Sequence, residues 1–395
     1  MKDVQRFRVI TDVLEKKLKA IQASRILGLS YIHLLRLKKK VALYGLAGLL
    51  RASRPSPRKI PEAKAGVVAG LYEDLYPDFN ILHFKDKLAE VHMIVLSYEA
   101  IRKILIKAGL HHPKKKKKVH RRRRRMPKAG MLVQMDSSQH NWLEHIDEKW
   151  WLVAMIDDAT NEVPYARFFP SDTLSANMHV IRRFIEKKGI FMCLYVDRAS
   201  HFKTTRHGGT HYDVKEQQDD TQIERALAEL DINIINANSC QARGRIERLF
   251  GFFQDRLIKE MRLHGIKDYR EANEFLINKF LPWYNKNYTH RAESSYMPLP
   301  EDKDLDTVFC IKEERRVNHD NTITWDGQVI QIPPTDIRLS FAKAKVDACL
   351  LEDGRILVLY KGSIIAESRL SKKHKAAHKQ KFQEELLGSK IYAPS

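Results

Sequence analysis

Three stretches of the sequence each place an acidic residue beside an apolar run. They read MLVQMD (131–136), FMCLYVD (191–197) and GRIERLFGFFQDRL (244–257). The first two are short apolar runs bounded by polar residues, a pattern that favours buried β-strands, although periodicity alone does not exclude a buried helix. If the two strands are parallel neighbours, Asp136 and Asp197 leave the same edge of a sheet, which is where open α/β sheets bind their ligands.

The third stretch is predicted to form an amphipathic helix. Its apolar face consists of Ile246, Leu249, Phe250, Phe253, Leu257 and Met261. These residues recur at helical spacing. Glu247 lies about a quarter turn from the centre of this face, so its side chain can line a cleft. We therefore expect Asp136, Asp197 and Glu247 to meet in space.

Three carboxylates held together would repel one another, and one of them would take up a proton unless a cation were bound. Carboxylate oxygens suit Mg²⁺ or Mn²⁺. Two such ions can activate a water or a hydroxyl and stabilise the leaving oxygen of a phosphodiester. Each acid alone also has a simpler interpretation, since an Asp after a strand is commonly a turn residue and a Glu at a helix start commonly favours the helix dipole.

The residues around these acids resemble those of a known family. MDSSQHNW (135–142), YVDRASHF (195–202) and NSCQARGRIERLFGFFQDRL (238–257) are similar to motifs of the DDE transposases with an integrase-like core, and most of all to the ISNCY group of insertion-sequence transposases. The resemblance extends from the N-terminal helices to about residue 370. The third motif is the most specific, and its matching residues are Asn238, Ser239, Gln241, Gly244, Arg245, Glu247 and Arg248. Cys240 departs from the usual Pro, and the long spacing from Asp197 to Glu247 indicates an inserted loop.

The resemblance implies a catalytic triad of Asp136, Asp197 and Glu247 that binds two Mg²⁺ ions, for which Mn²⁺ would substitute. It also implies a transposase that cuts the ends of a mobile element and joins the freed 3′-hydroxyl to target DNA. Its partners would be double-stranded DNA, namely the terminal repeats and the target, and further copies of itself in a dimer or larger assembly. Two alternatives are a repressor derived from a transposase and a structure-specific nuclease of the same fold.

The implied fold is multidomain, with all-α helix-turn-helix modules at the N-terminus, a central α/β ribonuclease-H-like core and a small C-terminal β-barrel. We predict helix-turn-helix modules at 1–50 and 62–112, the second either plain or winged, separated by a linker at 51–61. A basic linker at 113–130, the core at 131–300, the barrel at 305–370 and a basic tail at 371–395 follow. Three strands and then alternating helices and strands give the core an α/β pattern.

The composition indicates the kind of partner. The formal net charge is +21 and 43% of the residues are hydrophobic, which predicts a folded protein that binds nucleic acid. An anionic membrane surface is the alternative, but no amphipathic anchor or membrane-length apolar run is evident. The four cysteines form no CxxC pair, which disfavours zinc and a redox dithiol. The charged N-terminal stretch has no apolar signal core, so we expect a cytoplasmic protein. The resemblance to transposases implies a prokaryotic protein associated with the nucleoid.

Several cationic residues are predicted to contact DNA. Gly28 permits a tight turn and Ser30 caps the next helix, which ends in the predicted phosphate contacts Lys38, Lys39 and Lys40. An ordinary helical hairpin is the alternative. The run KKKKKVHRRRRR (114–125) contains Arg121, Arg122 and Arg123 and should track phosphates, although a tether or a nuclear-import signal has the same composition.

Further DNA contacts are predicted near the triad. The long polar loop at 198–220 carries His201 and Lys203, which either reach the DNA or are solvated. Arg243, Arg245 and Arg248 flank Glu247 and either bind phosphates or form a charged, exposed helix start. Asp157 and Asp158 end the second strand; we exclude both from the triad because the resemblance places the first ligand at Asp136, and Asp158 can support a ligand from behind.

Overall fold

The computed structural model describes residues 2–49, 60–112, 124–197, 221–236 and 244–369. The chain divides into two compact units, Met1–Leu75 with Lys103–His111, and Tyr76–Arg102 with His112–Ser395. The predicted module at 62–112 therefore contributes residues to both units. Most of the linker at 51–61, the basic run at 113–123, the loop at 198–220 and the tail from 370 lie outside the described residues.

The N-terminal unit is helical. Its helices are α1 (Lys2–Leu14), α2 (Ala20–Leu27), α3 (Tyr31–Tyr44) and α4 (Glu62–Leu75), with a 3₁₀ turn at Gly45–Leu49. As predicted, Gly28 ends α2 in the left-handed conformation (φ 62°), and the Ser30 hydroxyl accepts the His33 N–H at 3.3 Å. The prediction that α3 ends at Lys38–Lys40 is wrong. Leu34 and Val41, two turns apart, are both buried, so the helix continues past the lysines.

Two further helices follow, α5 (Ile81–Glu90) and α6 (Tyr98–Lys107). Ser97 caps α6, because its hydroxyl accepts the Ala100 N–H at 3.2 Å. Gly109 has a φ of 75°, as a residue that closes a helix commonly does. Residues 60–112 contain no strand, so this part of the chain has no wing.

A five-stranded mixed sheet forms the centre of the second unit. Its strands are β2 (Val133–His140), β3 (Trp150–Asp157), β4 (Ala166–Phe169), β5 (Cys193–Val196) and β6 (Asn233–Asn236). The order is β4-β3-β2-β5-β6; β3 is antiparallel to both of its neighbours, and β2, β5 and β6 are parallel. The α/β prediction is confirmed for these elements. β4 is only four residues long, and Pro164 shortly before it has no N–H to give to a ladder.

Helices cover both faces of this sheet. They are α7 (Leu174–Lys188), α8 (Gln222–Ala228), α9 (Ile246–Leu263), α10 (Tyr269–Phe275) and α11 (Leu281–Tyr288). Val133 and Met135 of β2 belong to the core that includes α7 and α8, whereas Ala154 of β3 belongs to the core that includes α9, α10 and α11. All six predicted apolar residues of α9 are buried. A π-helical turn at Leu276–Phe280, just before Pro282, separates α10 from α11.

The C-terminal region contains α12 (Leu305–Val308) and six strands. The strands are β8 (Ile311–Arg316), β9 (Thr322–Trp325), β10 (Gln328–Gln331), β11 (Lys345–Leu350), β12 (Arg355–Tyr360) and β13 (Ser363–Arg369). A pair of two-residue strands, β1 (Lys128–Ala129) and β7 (Glu293–Ser294), lies elsewhere in the unit.

The predicted closed barrel is wrong. Within the described residues β13-β12-β11-β8 form one open sheet, and β9 and β10 pair only with each other. Buried side chains of the hairpin, including Ile323 and Trp325, pack against the larger sheet without joining its ladder. Asp326 and Gly327 form the turn between β9 and β10, and both have positive φ, as a type I′ turn requires.

No helix in the described parts of the chain combines the length and apolar character needed to cross a bilayer.

Candidate active site at the start of helix α9

Strand register places the two predicted aspartates side by side. Gln134 of β2 pairs with Tyr195 of β5 in parallel. Two residues further along each strand, Asp136 lies beside Asp197. Val196 points into the core with α7 and α8, so the pleat directs its neighbour Asp197 to the opposite face, together with Asp136. Both aspartates are half-buried.

Helix α9 lies along β2 on this face of the sheet. The Ile246 N–H donates to Gln134 Oε1 at 3.3 Å, and Gln254 Nε2 donates to the Ser138 hydroxyl at 3.0 Å. Gln134 and Ser138 are two residues before and two residues after Asp136, on the same face of the strand. The first part of α9 therefore runs over the position of Asp136.

Glu247 is the second residue of α9 and is exposed. It lies seven residues before Gln254, which is two helical turns, so both occupy one side of the helix. Among the described residues, no group of three or more His, Cys, Asp or Glu side chains is arranged to hold a metal ion. The first strand does not end at Asp136 as predicted, because β2 continues to His140. The described residues do not assemble the three carboxylates as a metal centre, and the triad stays a prediction.

The donor set is nevertheless of the right chemical kind for Mg²⁺ or Mn²⁺. It consists of carboxylate oxygens from the middle of β2, from the residue directly after β5 and from the first turn of α9, and hard divalent cations prefer such ligands. One oxygen of Asp136 also accepts the Ser137 N–H at 3.0 Å, which fixes the side chain locally.

The start of α9 is attached to a buried carboxylate that sequence analysis had excluded from the triad. Arg245 Nε donates to Asp158 Oδ1 at 2.6 Å, and the two side chains are 8% and 0% exposed. Gln134 Nε2 donates to the same oxygen at 3.0 Å. The predicted phosphate contact of Arg245 is therefore revised, because its guanidinium is inside the protein and paired with a carboxylate.

The same turn holds the end of the basic run. The Met126 N–H donates to Asp158 Oδ2 at 2.9 Å. Arg125 Nη1 donates to the carbonyls of Asp158 and Ala159 at 3.3 and 3.2 Å and to Asn161 Oδ1 at 2.7 Å. Burial lowers the pKa of Arg125. This arginine, the last residue of the basic run, is thus engaged with the protein itself.

Asp157 has a different set of partners. Its Oδ2 accepts the Gly130 N–H at 2.7 Å and the Tyr296 hydroxyl at 2.9 Å. Its Oδ1 accepts the Thr160 N–H at 2.8 Å and the Thr160 hydroxyl at 2.9 Å. A carboxylate bound by so many donors has a structural role, and none of these donors lies on α9.

The second half of α9 carries a buried charge network that sequence analysis missed. Glu260 accepts from His83 Nε2 at 2.8 Å and from Lys87 Nζ at 2.7 Å, both on α5. Burial alone would raise the pKa of Glu260, but these two hydrogen bonds outweigh it and lower the pKa to about 2. Nearby, Arg256 Nη1 donates to Asp86 Oδ2 at 2.8 Å. The polar residues of α5 gave no signal that they would be buried.

The remaining predicted DNA contacts fall into two groups. Lys39, Lys40 and Arg248 are exposed, and Lys38 is partly exposed. The others lie outside the described residues, and these are Arg121, Arg122, Arg123, His201, Lys203 and Arg243.

The solved structures that are similar to this chain include two from retroviral integrases. One is the catalytic core domain of HTLV-2 integrase in complex with magnesium, in its trimeric form, with a TM-score of 0.28 and 13% identity over 38% of this chain and 84% of that one. The other is the simian T-cell lymphotropic virus intasome in complex with the PP2A regulatory subunit B56 gamma, with a TM-score of 0.32 and 15% identity over 77% of this chain and 99% of that one.

Comparison with known sequences identifies the family. No protein-family model matches the chain. Over 296 residues it is 31% identical to the transposase of insertion sequence IS1202 from Streptococcus pneumoniae, covering 65% of this chain and 61% of that protein. Over 384 residues it is 30% identical to a protein of Sinorhizobium fredii assigned as the transposase y4bF, covering 95% of this chain and 83% of that one. The resemblance inferred from the motifs is confirmed, and the chain belongs to the transposase family.

Proposed function

We propose that this transposase cuts the ends of a mobile element and joins the freed 3′-hydroxyl to target DNA, with Asp136, Asp197 and Glu247 as its catalytic carboxylates. The observation that carries the proposal is the register of β2 and β5, which brings Asp136 beside Asp197 under the first part of α9. Phosphodiester hydrolysis and transesterification need such a group of carboxylates at one accessible point.

Asp136, Asp197 and Glu247 would hold two Mg²⁺ ions, or Mn²⁺ in their place. When bound, divalent ions of this kind activate a water or hydroxyl and stabilise the leaving oxygen of a phosphodiester. The two half-buried aspartates supply the fixed part of the site, because each lies at or directly after a strand of the central sheet. Glu247 supplies the accessible part, since it is exposed on the first turn of α9.

DNA would be held by exposed cations on separate elements. Arg248 follows Glu247 directly and is exposed, so it can bind a phosphate beside the catalytic carboxylates. Lys39 and Lys40 on α3 would contact the phosphate backbone elsewhere. Because both ends of an element must be processed together, we also propose that the protein acts as a dimer or a larger assembly on DNA.

The proposal is tested by incubating the full chain with labelled DNA that carries the repeats flanking its gene, a target plasmid and Mg²⁺ or Mn²⁺. Asp136→Asn and Asp197→Asn should each lower joining by roughly a thousand-fold or more, as expected when residues act as a unit. Asp147→Asn is the matched control, because Asp147 is an exposed carboxylate on the connection between β2 and β3. Wild-type protein that binds the ends but neither cuts nor joins them in either metal would overturn the proposal in favour of a DNA-binding regulator.

A further inference from the structure

One fully buried carboxylate connects three separate parts of the core. Asp158 accepts from Arg245 at the start of α9 at 2.6 Å, from Gln134 of β2 at 3.0 Å and from the Met126 N–H at 2.9 Å. Gln134 in turn accepts the Ile246 N–H at 3.3 Å. Asp158 is thus linked to the first turn of α9 both through Arg245 and through Gln134.

Helix α9 begins in an unusual way. Most helices start at a residue in an extended conformation, and its side chain accepts one of the first N–H groups. The residue before α9, Arg245, is itself helical (φ −87°, ψ −50°), and its side chain makes no capping hydrogen bond. Fixation of this helix start therefore depends on contacts to the sheet and to Asp158.

We propose that Asp158 is a positioning residue, which holds the first turn of α9, and with it Glu247, over strand β2. The expected effect on DNA joining rests on the proposed function, whereas the attachment of α9 to Asp158 does not. Glu247 follows Arg245 by two residues and lies in the first turn of α9. Any tilt or fraying of this turn therefore moves its carboxylate directly. A displacement of about 1 Å in a catalytic group can cost about a hundred-fold in rate.

The chain supplies a matched control in the adjacent residue. Asp157 is also buried, at 1% exposure, but its donors lie on Gly130, Thr160 and Tyr296 and not on α9. Asp157→Asn and Asp158→Asn change the same atoms at neighbouring positions. A general loss of packing would affect both variants alike, whereas the loss of a specific attachment of α9 would affect only Asp158→Asn.

Two measurements on the full-length chain test the proposal. The first is hydrogen–deuterium exchange of a peptide that contains the Ile246 and Leu249 amides, and the second is the maximal joining rate at saturating element-end DNA. Asp158→Asn should speed exchange of this peptide selectively and lower the maximal rate by about tenfold or more, with unchanged affinity for the DNA. Asp157→Asn should leave both quantities near wild type at a temperature where it is folded.

Should Asp158→Asn fail to fold, the double variant Asp158→Asn with Arg245→Gln takes its place, because it leaves no buried charge unpaired. The proposal would be overturned if Asp158→Asn kept the wild-type hydrogen–deuterium exchange and the wild-type joining rate. It would also be overturned if Asp157→Asn showed an equally selective effect on the α9 peptide. If the wild type does not join DNA at all, the proposed function fails, and the exchange measurement alone still decides whether Asp158 holds the helix start.

Discussion

The two ends of helix α9 each carry a glutamate, and their surroundings are opposite. Glu247, in the first turn, is exposed beside the exposed Arg248. Glu260, in the last turn, is buried and accepts hydrogen bonds from His83 and Lys87. Residue type and helix are the same in both cases. A carboxylate that accepts hydrogen bonds from buried donors stabilises the fold, whereas an exposed carboxylate at the other end of the same helix remains accessible to solvent.

The burial of His83 determines which hydrogen bond it makes to Glu260. Burial lowers its pKa, so the ring is neutral at pH 7. Its buried Nδ1 has no partner in the described structure. A proton on Nε2 donates to Glu260 and leaves only a lone pair unsatisfied at Nδ1, which costs less than a buried N–H without an acceptor. The contact between α5 and α9 is therefore a neutral histidine and a lysine on one carboxylate.

The largest expected effect on stability comes from Glu260→Gln. This change leaves the buried Lys87 with only the more distant carboxylate of Glu90, at 3.5 Å, and breaking a buried pair in this way costs about 3 kcal/mol of unfolding free energy. Urea denaturation at pH 7 measures it. Glu274→Gln, an exposed glutamate of α10, is the control and should change little. If Glu260→Gln is as stable as wild type, Glu260 does not stabilise the fold, and the difference drawn between the two glutamates of α9 is wrong.

The pH dependence should follow from the same group. The pKa of Glu260 is about 2 in the folded protein and 4.5 ordinarily, so its contribution is complete above pH 4.5 and lost as the pH falls towards 2. We expect the stability difference between wild type and Glu260→Gln, roughly 3 kcal/mol at pH 7, to shrink across this range. Denaturation curves at several pH values would show it, and a difference that stays constant down to pH 2 contradicts the assignment.

Arg248 and Arg256 of α9 should also differ, the exposed one in its effect on DNA binding and the buried one in its effect on stability. Arg248 is exposed, and loss of one phosphate contact in Arg248→Gln should reduce the slope of log affinity against log salt by about 0.9, without an effect on stability. Arg256 is buried against Asp86 and Trp283, so its replacement should destabilise the fold instead. DNA binding measured at several salt concentrations distinguishes them. An unchanged slope in Arg248→Gln means that this side chain does not touch DNA.

The smallest expected effect on stability is that of Glu247→Gln. The side chain is exposed, and surface substitutions usually change the unfolding free energy by about 0.5 kcal/mol or less. The same urea titration as for Glu260→Gln measures it. A large loss of stability would mean that Glu247 has a structural role, and the comparison between the two glutamates would then lose its meaning.

Much of the core was predictable because its signals are local. The apolar runs before Asp136 and Asp197 became neighbouring parallel strands, and the 3.6-residue spacing in α9 marked six residues that are all buried. The caps at Ser30 and Ser97 were likewise predictable, because each depends on a few adjacent residues. The adjacency of the two parallel strands follows from these local patterns, although β2 continues past Asp136 to His140.

The rest depends on contacts between residues far apart in sequence. Nothing in the polar spacing of α5 indicated that Lys87 would be buried on Glu260, and Arg245 had the same surface-like sequence context as Arg248 although it pairs with Asp158. The C-terminal region was predicted to be a small barrel and is not one, for a similar reason. Hairpin turns determine which neighbouring strands pair, but not whether the edges of two sheets join.

The most direct test of the central claim is joining of a pre-cut 3′-hydroxyl element end to plasmid DNA in Mg²⁺, with Glu247→Gln and Glu260→Gln compared at a temperature where both variants are folded. We expect Glu247→Gln to bind the end without joining it, and Glu260→Gln to join it at nearly the wild-type rate. If Glu247→Gln joins the end at the wild-type rate, the exposed glutamate at the start of α9 has no part in the chemistry and the proposed triad is wrong.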